Sequence, residues 1–183
     1  YQATHDILTG LNNRWSFNQR LQECMQQSQG SGEPLALLLM DLDNFKAIND
    51  GYGHAAGDHV LQEVAKRLQA VVHGHGVLTR LGGDEFTVLL PQADKLQAKS
   101  WAEKILYAMR VPCRWGNVLL DFGASIGMAI SPLDAQDAST LMRYADMAMY
   151  HAKAGGRGNA AFYEVHMGHE MAEKVLLFER LRL

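Results

Sequence analysis

Two pairs of acidic residues follow stretches that are predicted to be strands or tight turns. Asp41 and Asp43 come after the apolar run LALLLM, and Asp84 and Glu85 come directly after a Gly-Gly pair. Residues two apart in an extended chain point to the same side, and ligands commonly bind at the mouth of a sheet in α/β folds. If the two strands are neighbours, up to four carboxylates converge there and need cations. Hard divalent ions such as Mg²⁺ suit such oxygen ligands and bridge substrate phosphates. The alternative is two solvated turns with incidental acids.

Residues close to these acids have the chemistry to bind a nucleotide. Phe45 and Lys46 are expected in a loop whose backbone N–H groups cradle phosphates, with Lys46 adding positive charge. Asn49 and Asp58 offer an amide and a carboxylate, which are the partners that a guanine base requires.

A second cationic segment, AKAGGRG, lies near the far end of the chain. Its Lys153 and Arg157 stand beside a glycine turn and provide counter-charge of the kind a triphosphate needs. The alternative is an ordinary cationic helix end, which interacts favourably with the helix dipole.

The elements that must position these residues alternate along the chain. The run LALLLM is short and follows a Gly- and Pro-containing loop, so it predicts a strand covered on both faces. Hairpins are predicted around LGGDE and around the turn Gly116-Asn117. Helices are predicted over residues 15–27 (capped by Asn12 or Asn13), 54–72, 93–110 and 139–154 and from 167 onward, and a last short strand over 160–165. This order favours one central sheet that carries helices.

The composition restricts the class of protein. The 183 residues are 48% hydrophobic and 20% charged, which suits one domain with a proper core. A net charge of −3 argues against a nucleic-acid partner. No apolar run is long enough for a membrane span and no secretory signal is visible, so we predict a cytoplasmic domain without direct membrane contact. Cys24 and Cys113 are predicted to be reduced structural thiols.

Five ordered motifs together identify a resemblance to a known family. The segments DILTGLNNR, DLDNFKAINDGYGHAAGD, RLGGDEF, SIGMAI and ADMAMYHAKAGGRG resemble a GGDEF domain of the diguanylate cyclase family. The resemblance implies an α+β fold in which helices flank a central, largely antiparallel sheet, similar to the palm of nucleotide cyclases and polymerases with its ferredoxin-like core. Residues 1–166 would form this domain, and 167–183 a connector helix toward a following domain.

The resemblance also implies an activity, in which two GTP molecules condense into cyclic di-GMP and two pyrophosphates across a homodimer of half-sites. The metal ion, Mg²⁺ with Mn²⁺ as an alternative, would be held by Asp41, the Leu42 carbonyl, Asp84 and Glu85. Asp84, with Glu85 beside it, would favour deprotonation of the attacking 3′-hydroxyl. The remaining site residues are implied to be Asn49 and Asp58 for guanine, His54 in the nucleotide pocket, and Phe45, Lys46, Lys153 and Arg157 for phosphates.

One departure from the family pattern concerns product inhibition. Many members carry an Arg-x-x-Asp site just before the signature, and here the matching positions are His73, Gly74, His75 and Gly76. Without the arginine and the aspartate, we expect no tight binding of product at this loop. The two histidines alone are a weak metal motif, and a simple loop is the favoured interpretation.

A second class of function stays open beside the enzyme. The domain could bind GTP without turnover and regulate an attached EAL phosphodiesterase domain, since the terminal helix marked by Met171, Val175, Phe178 and Leu181 resembles a GGDEF–EAL connector. The N-terminal lead-in suggests an upstream sensory module. A palm-type enzyme acting on nucleic acid fits poorly with the acidic charge balance.

Overall fold

The computed structural model describes residues 3–181, with the side chains of 170–172, 174, 175, 178 and 179 left undescribed. Its elements follow the predicted alternation of strands and helices. In chain order they are α1 (Arg14–Ser31), β1 (Leu35–Asp43), α2 (Phe45–Tyr52), α3 (His54–Val72), β2 (Val77–Gly82), β3 (Glu85–Pro91), α4 (Lys95–Met109), β4 (Cys113–Trp115), β5 (Val118–Leu120), β6 (Gly123–Ser131), α5 (Ala138–Ala154), β7 (Ala160–Phe162) and α6 (Val165–Leu181).

A five-stranded sheet with the order β2-β3-β1-β6-β7 forms the centre of the protein. Its pairings are antiparallel except for β6 with β7, which are parallel. This mixed sheet flanked by helices confirms the predicted α+β, palm-like fold. The predicted second hairpin, β4–β5, forms a separate two-stranded sheet.

β1 is covered on both faces, as its continuous apolar run predicts. Leu35, Leu37 and Leu39 pack in a cluster that contains residues of α1 and α5. The alternate residues of β1 pack in the other cluster, with α3 and α4. Because successive side chains alternate in direction, Asp41 and Asp43 continue the face that is turned toward α5.

Helix α5 approaches the sheet closely at one glycine. A Cβ placed on Gly127 of β6 would overlap the backbone of Ala145 and Met149, coming within 2.7 Å of the Met149 Cα. Only a residue without a side chain therefore allows α5 to lie this near to β6. This packing brings the C-terminal end of α5 to the end of the sheet where the acidic residues stand.

Several local predictions can be compared directly with the structure. Asn13 is the cap of α1, with its side chain accepting from the Ser16 N–H. Cys24 and Cys113 are buried and unpaired. α6 is present, but the apolar pattern assigned to Met171, Val175 and Phe178 lies outside the described side chains, and the connector role stays a prediction. Within residues 3–181, no helix combines the length and apolar character needed to cross a bilayer.

Candidate active site

The predicted acid pairs meet at one end of two neighbouring strands. β1 pairs with β3, and Asp41 stands directly opposite Glu85 in the register, so their side chains share a face. The Leu42 N–H donates to the Asp84 carbonyl oxygen over 3.3 Å, which ties the β2–β3 turn to β1. Asp41 lies close enough to Asp84 for its negative charge to raise the pKa of that carboxyl group. Three of the four acids therefore lie at the same edge of the sheet.

Asp43, the fourth acid, has different partners. Its carboxylate is buried, and its two oxygens accept from Ser125 Oγ and from the Gly158 N–H, each over 2.9 Å. The expectation that up to four carboxylates converge on a cation is therefore not met at this residue, because both of its oxygens are engaged by β6 and by the turn after α5.

Burial and mutual repulsion perturb the titration of the gathered acids. The pKa of Asp84 is raised from 3.8 to about 7, first by burial and then by the hydrogen bond to Asp41 and by its charge. The pKa of Glu85 is also raised, by burial and then by the charges of Asp41 and Asp146. A carboxyl group that titrates near 7 can take up a proton at neutral pH, as a general base must.

The environment of Asp41 fits a hard cation. Its Oδ1 is buried and has no hydrogen-bond partner within the described part of the chain, while its Oδ2 accepts from Lys153 Nζ over 2.6 Å. Among the described residues, however, no three Asp, Glu, His or Cys side chains gather closely enough to hold an ion by themselves. Mg²⁺ commonly keeps waters and uses one or two carboxylates plus substrate phosphates, so a sparse set such as Asp41 and Asp84 is suited to it.

A cleft of about 500 Å³ opens beside these acids. Six of the residues predicted from the sequence to bind phosphate or metal line it. They are Leu42, Phe45, Lys46, Asp84, Lys153 and Arg157, and the cleft is completed by Asp43, Asn44, Ala47 and Asp50. Cations from both ends of the chain thus face the same space, which suits a polyanionic ligand.

Phe45 and Lys46 begin a helix, so the prediction of a loop is wrong here. They are the first two residues of α2, and Asn44 before them takes a left-handed conformation without capping the helix through its side chain. The first N–H groups of a helix have no acceptor inside it, and they lie at the positive end of the helix dipole. The free N–H groups that were expected in a loop are therefore those of a helix N-terminus.

Lys153 and Arg157 lie on either side of the turn that ends α5. Lys153 is in the last turn of the helix, where a cation is favourable, but its 2.6 Å contact with Asp41 goes beyond that general effect. Arg157 lies in the following turn with φ of 58°. Both side chains line the cleft, which favours the ligand-binding interpretation over an ordinary helix end.

The residues predicted for guanine lie where α2 meets α3, outside the lining of this cleft. Asn49 is half-buried, and its side chain lies directly over the Cα of Gly57. His54 and Asp58 are exposed and stand one turn apart on α3, so they share one side of that helix. The structure brings these three residues into one neighbourhood but does not join them to the phosphate side of the site.

Two further residues support the signature turn and were not identified from the sequence. Arg80 donates from Nε to the Gly83 carbonyl and from a terminal nitrogen to Asp6 Oδ1, each over 2.9 Å. Asp6 lies in the motif DILTG and Arg80 in the motif RLGGDEF, which marked both as candidates for a role in the site. Their pairing could not be predicted from local patterns, because the two residues are 74 positions apart.

The segment from His73 to Gly76 has the features of a plain loop. His73 is the left-handed cap of α3, and the ring of His75 packs against Trp101 with 5.4 Å between centroids. A Cβ on Gly76 would lie 2.7 Å from the Leu89 carbonyl oxygen, so a side chain cannot be accommodated without backbone movement. Glycine is therefore the residue that this backbone allows at position 76.

Known proteins resemble this chain over nearly its whole length. The family model described as "Diguanylate cyclase, GGDEF domain" matches residues 3–159. The chain is 42% identical, over 98% of its length, to the bifunctional diguanylate cyclase/cyclic di-GMP phosphodiesterase MucR of Pseudomonas aeruginosa, of which it covers 26%. It is 34% identical, over 98% of its length, to the cyclic di-GMP phosphodiesterase PdeR of Escherichia coli, of which it covers 27%. The chain thus spans about a quarter of these relatives.

Among solved structures, the chain is similar to the GGDEF domain of TpbB from Pseudomonas aeruginosa. The TM-score is 0.89 at 39% sequence identity, and the match covers 92% of this chain and 99% of that one.

Proposed function

The chain belongs to the diguanylate cyclase GGDEF family, and we propose that it catalyses the condensation of two GTP molecules into cyclic di-GMP in the presence of Mg²⁺. The observation that carries the proposal is the placement of Asp41, Asp84 and Glu85 at one edge of a cation-lined cleft. In each half-reaction the 3′-hydroxyl of one GTP attacks the α-phosphorus of the other, and pyrophosphate leaves.

Asp41, the Leu42 carbonyl, Asp84 and Glu85 would hold the metal ion, which would supply positive charge to the phosphates of the substrate. Asp84 would also favour deprotonation of the attacking 3′-hydroxyl. Glu85 would add a second carboxylate beside Asp84.

The cations of the cleft would bind and orient the triphosphate. Lys46, Lys153 and Arg157 would pair with phosphate oxygens, and the first N–H groups of α2, including that of Phe45, would donate to them. Asn49 and Asp58 would select guanine through its amide edge, and His54 would lie against the nucleotide.

The homodimer follows from the stoichiometry of the proposed reaction. The cleft of about 500 Å³ has the size of a site for one small ligand, whereas the proposed reaction joins two nucleotides. A two-fold arrangement of protomers would place the second GTP across the interface, so each protomer contributes half of the reacting pair.

The alternative function is a GTP-binding module that regulates an attached phosphodiesterase domain without turnover. It is supported by the similarity to PdeR, which is named as a cyclic di-GMP phosphodiesterase. In this reading residues 1–166 would be the binding domain and α6 would lead to the downstream domain.

Incubation with GTP and Mg²⁺ at several protein concentrations, followed by chromatography of the products, separates the two functions. The enzyme releases cyclic di-GMP and pyrophosphate, and its specific activity rises with protein concentration. Asp84→Ala should abolish the product while the fold is kept, and Asp121→Ala, an exposed aspartate before β6, is the matched control. Tight GTP binding with no product at any concentration would favour the regulatory module.

A further inference from the structure

The carboxylate of Asp43 connects three parts of the protein that are distant in sequence. Asp43 is only 6% exposed. Its Oδ1 accepts from Ser125 Oγ of β6, and its Oδ2 accepts from the N–H of Gly158, which follows α5. A buried carboxylate with both oxygens hydrogen-bonded is a fixed point in a structure, because breaking either bond leaves a buried polar group unsatisfied.

The segment that Asp43 holds has an unusual backbone. Gly156, Arg157 and Gly158 have φ values of 122°, 58° and 66° in succession. This region is disfavoured for a residue with a Cβ, so Arg157 keeps its conformation only if its surroundings enforce it. The bond from Gly158 N–H to Asp43 acts directly after Arg157 and is well placed to enforce it.

Ser125, the other hydrogen-bond partner of Asp43, belongs to the central sheet. Ser125 is fully buried in β6 and stands opposite Asp41 in the register of the central sheet. The turn after α5 is therefore tied through Asp43 to the two central strands rather than to another loop. Arg157, carried by this turn, lines the cleft.

We infer that Asp43 is a positioning residue that sets the approach of Arg157 to the phosphates of the nucleotide. The inference rests on the proposed function, since it requires a triphosphate in the cleft. It assigns Asp43 a role different from that of Asp41, two residues earlier, because both Asp43 oxygens already have protein donors. Removing the Asp43 carboxylate should therefore weaken binding of the triphosphate and leave recognition of the base unchanged.

The test compares binding of α,β-methylene-GTP, whose reacting bond cannot be cleaved, with binding of guanosine, which has no phosphate. Asp43→Ala should weaken the analogue about tenfold, the size expected for a misplaced charged hydrogen-bonding group, and leave guanosine within about twofold. The exchange rate of the Gly158 amide hydrogen should rise in the same variant, which reports the released turn independently of any ligand.

Ser125→Ala keeps the test decisive if Asp43→Ala fails to fold. It should weaken the analogue about threefold. Ser131→Ala is its matched control, because Ser131 is also buried in β6 but its hydroxyl has no hydrogen-bond partner among the described residues. Equal affinities for Ser125→Ala and Ser131→Ala would overturn the inference.

Asp43→Asn separates positioning from metal binding. An amide can accept from Gly158 N–H and donate to Ser125 Oγ, so this variant should recover most of the affinity that Asp43→Ala loses. A loss in Asp43→Asn as large as in Asp43→Ala would contradict a positioning role through hydrogen bonds. Failure of the proposed function has a different signature, because the unmodified protein would then form no cyclic di-GMP even where it binds the analogue. An unmodified protein that binds neither ligand would overturn both proposals.

Discussion

Lys153 Nζ lies 2.6 Å from Asp41 Oδ2, so the amine that we assign to phosphate and the carboxylate that we assign to metal neutralise each other. The two side chains are 28% and 17% exposed, and a pair of this burial is only partly screened by water. A divalent ion and Lys153 would therefore compete for the same carboxylate. Binding of metal would release the lysine toward the phosphates at the moment when they need a counter-charge.

The first prediction concerns this competition. Lys153→Met should weaken binding of α,β-methylene-GTP about tenfold, because a phosphate partner is lost. The same change should strengthen binding of Mn²⁺ in the absence of nucleotide by about threefold or more, because Asp41 no longer has a competing cation. Calorimetry measures the nucleotide affinity, and electron paramagnetic resonance of free Mn²⁺ measures the metal affinity.

Lys99→Met provides the control, because Lys99 is exposed on α4 and does not line the cleft. It should alter neither affinity. If Lys153→Met left Mn²⁺ binding unchanged or weakened it, the proposed competition at Asp41 would be wrong.

The second prediction concerns pH. The pKa of Asp84 is about 7 in the folded protein against 3.8 for an unperturbed carboxyl, so the folded state binds this proton more tightly than the unfolded state. The resulting stabilisation is complete below pH 3.8 and is lost as the pH rises through 7. Lys153 and Asp41 face this group, and Glu85 shifts in the same direction, so it adds to the slope.

Asp84→Asn should therefore raise the melting temperature in EDTA, and the increase should be larger at pH 8 than at pH 5. Thermal unfolding followed by circular dichroism from pH 5 to pH 8 measures it, with Asp121→Asn as the exposed control. A difference between variant and parent that is constant across this range would mean that Asp84 titrates at its ordinary pKa.

Much of the fold and part of the site could be predicted from the sequence, and the failures have physical causes. The run from Leu35 to Met40 predicted a doubly covered strand because both of its faces are apolar. The loop predicted at Phe45 was wrong because α2 has only eight residues, too few to show a helical period clearly. The role of Asp43 was not visible at all, because its partners are 82 and 115 residues away.

The third prediction concerns Gly57, which lies beneath the side chain assigned to guanine. A Cβ at Gly57 would overlap Asn49 Oδ1 and come within 2.8 Å of its Cγ, so the amide must move away. Gly57→Ala should weaken GTP binding about fivefold and lower the preference for GTP over ATP, through loss of one buried hydrogen bond. Calorimetry with both nucleotides measures the effect.

Gly51→Ala is the matched control in the neighbouring helix, because a Cβ at Gly51 meets nothing within 4 Å. It should leave binding unchanged and stabilise α2 slightly, since alanine favours helices over glycine. Combining Gly57→Ala with Asn49→Ala should add little to either change alone. Additive losses in the double variant would show that Gly57 acts through something other than Asn49.

The fourth prediction concerns the support of the signature turn. Arg80→Gln removes the ion pair with Asp6 and the bond to the Gly83 carbonyl, while both Arg80 and Asp6 are largely buried. The fold should lose about 2 kcal/mol of stability, because a partly buried charge at Asp6 is left without its partner. Urea denaturation measures this loss. In Asp6→Asn, a further Arg80→Gln change should cost much less, and a full additional loss would contradict the pairing.

The last prediction concerns the loop from His73 to Gly76, where many family members bind their product. Cyclic di-GMP should show no submicromolar binding there, because His73 offers no forked permanent cation and Gly76 offers no acceptor side chain.

Replacing His73 by arginine and Gly76 by aspartate, the residues that many family members carry, should not create a product site. A side chain at Gly76 lies 2.7 Å from the Leu89 carbonyl oxygen and 2.9 Å from a Leu90 methyl, so Gly76→Asp should lower the stability of the fold by about 1–3 kcal/mol. His73→Arg alone, at an exposed helix cap, should be tolerated and serves as the control. Urea denaturation of both variants and calorimetric titration of cyclic di-GMP into each would measure these effects. Tight product binding in the unmodified protein that disappears in a His73→Ala, His75→Ala variant would show that this loop recognises the product with its histidines.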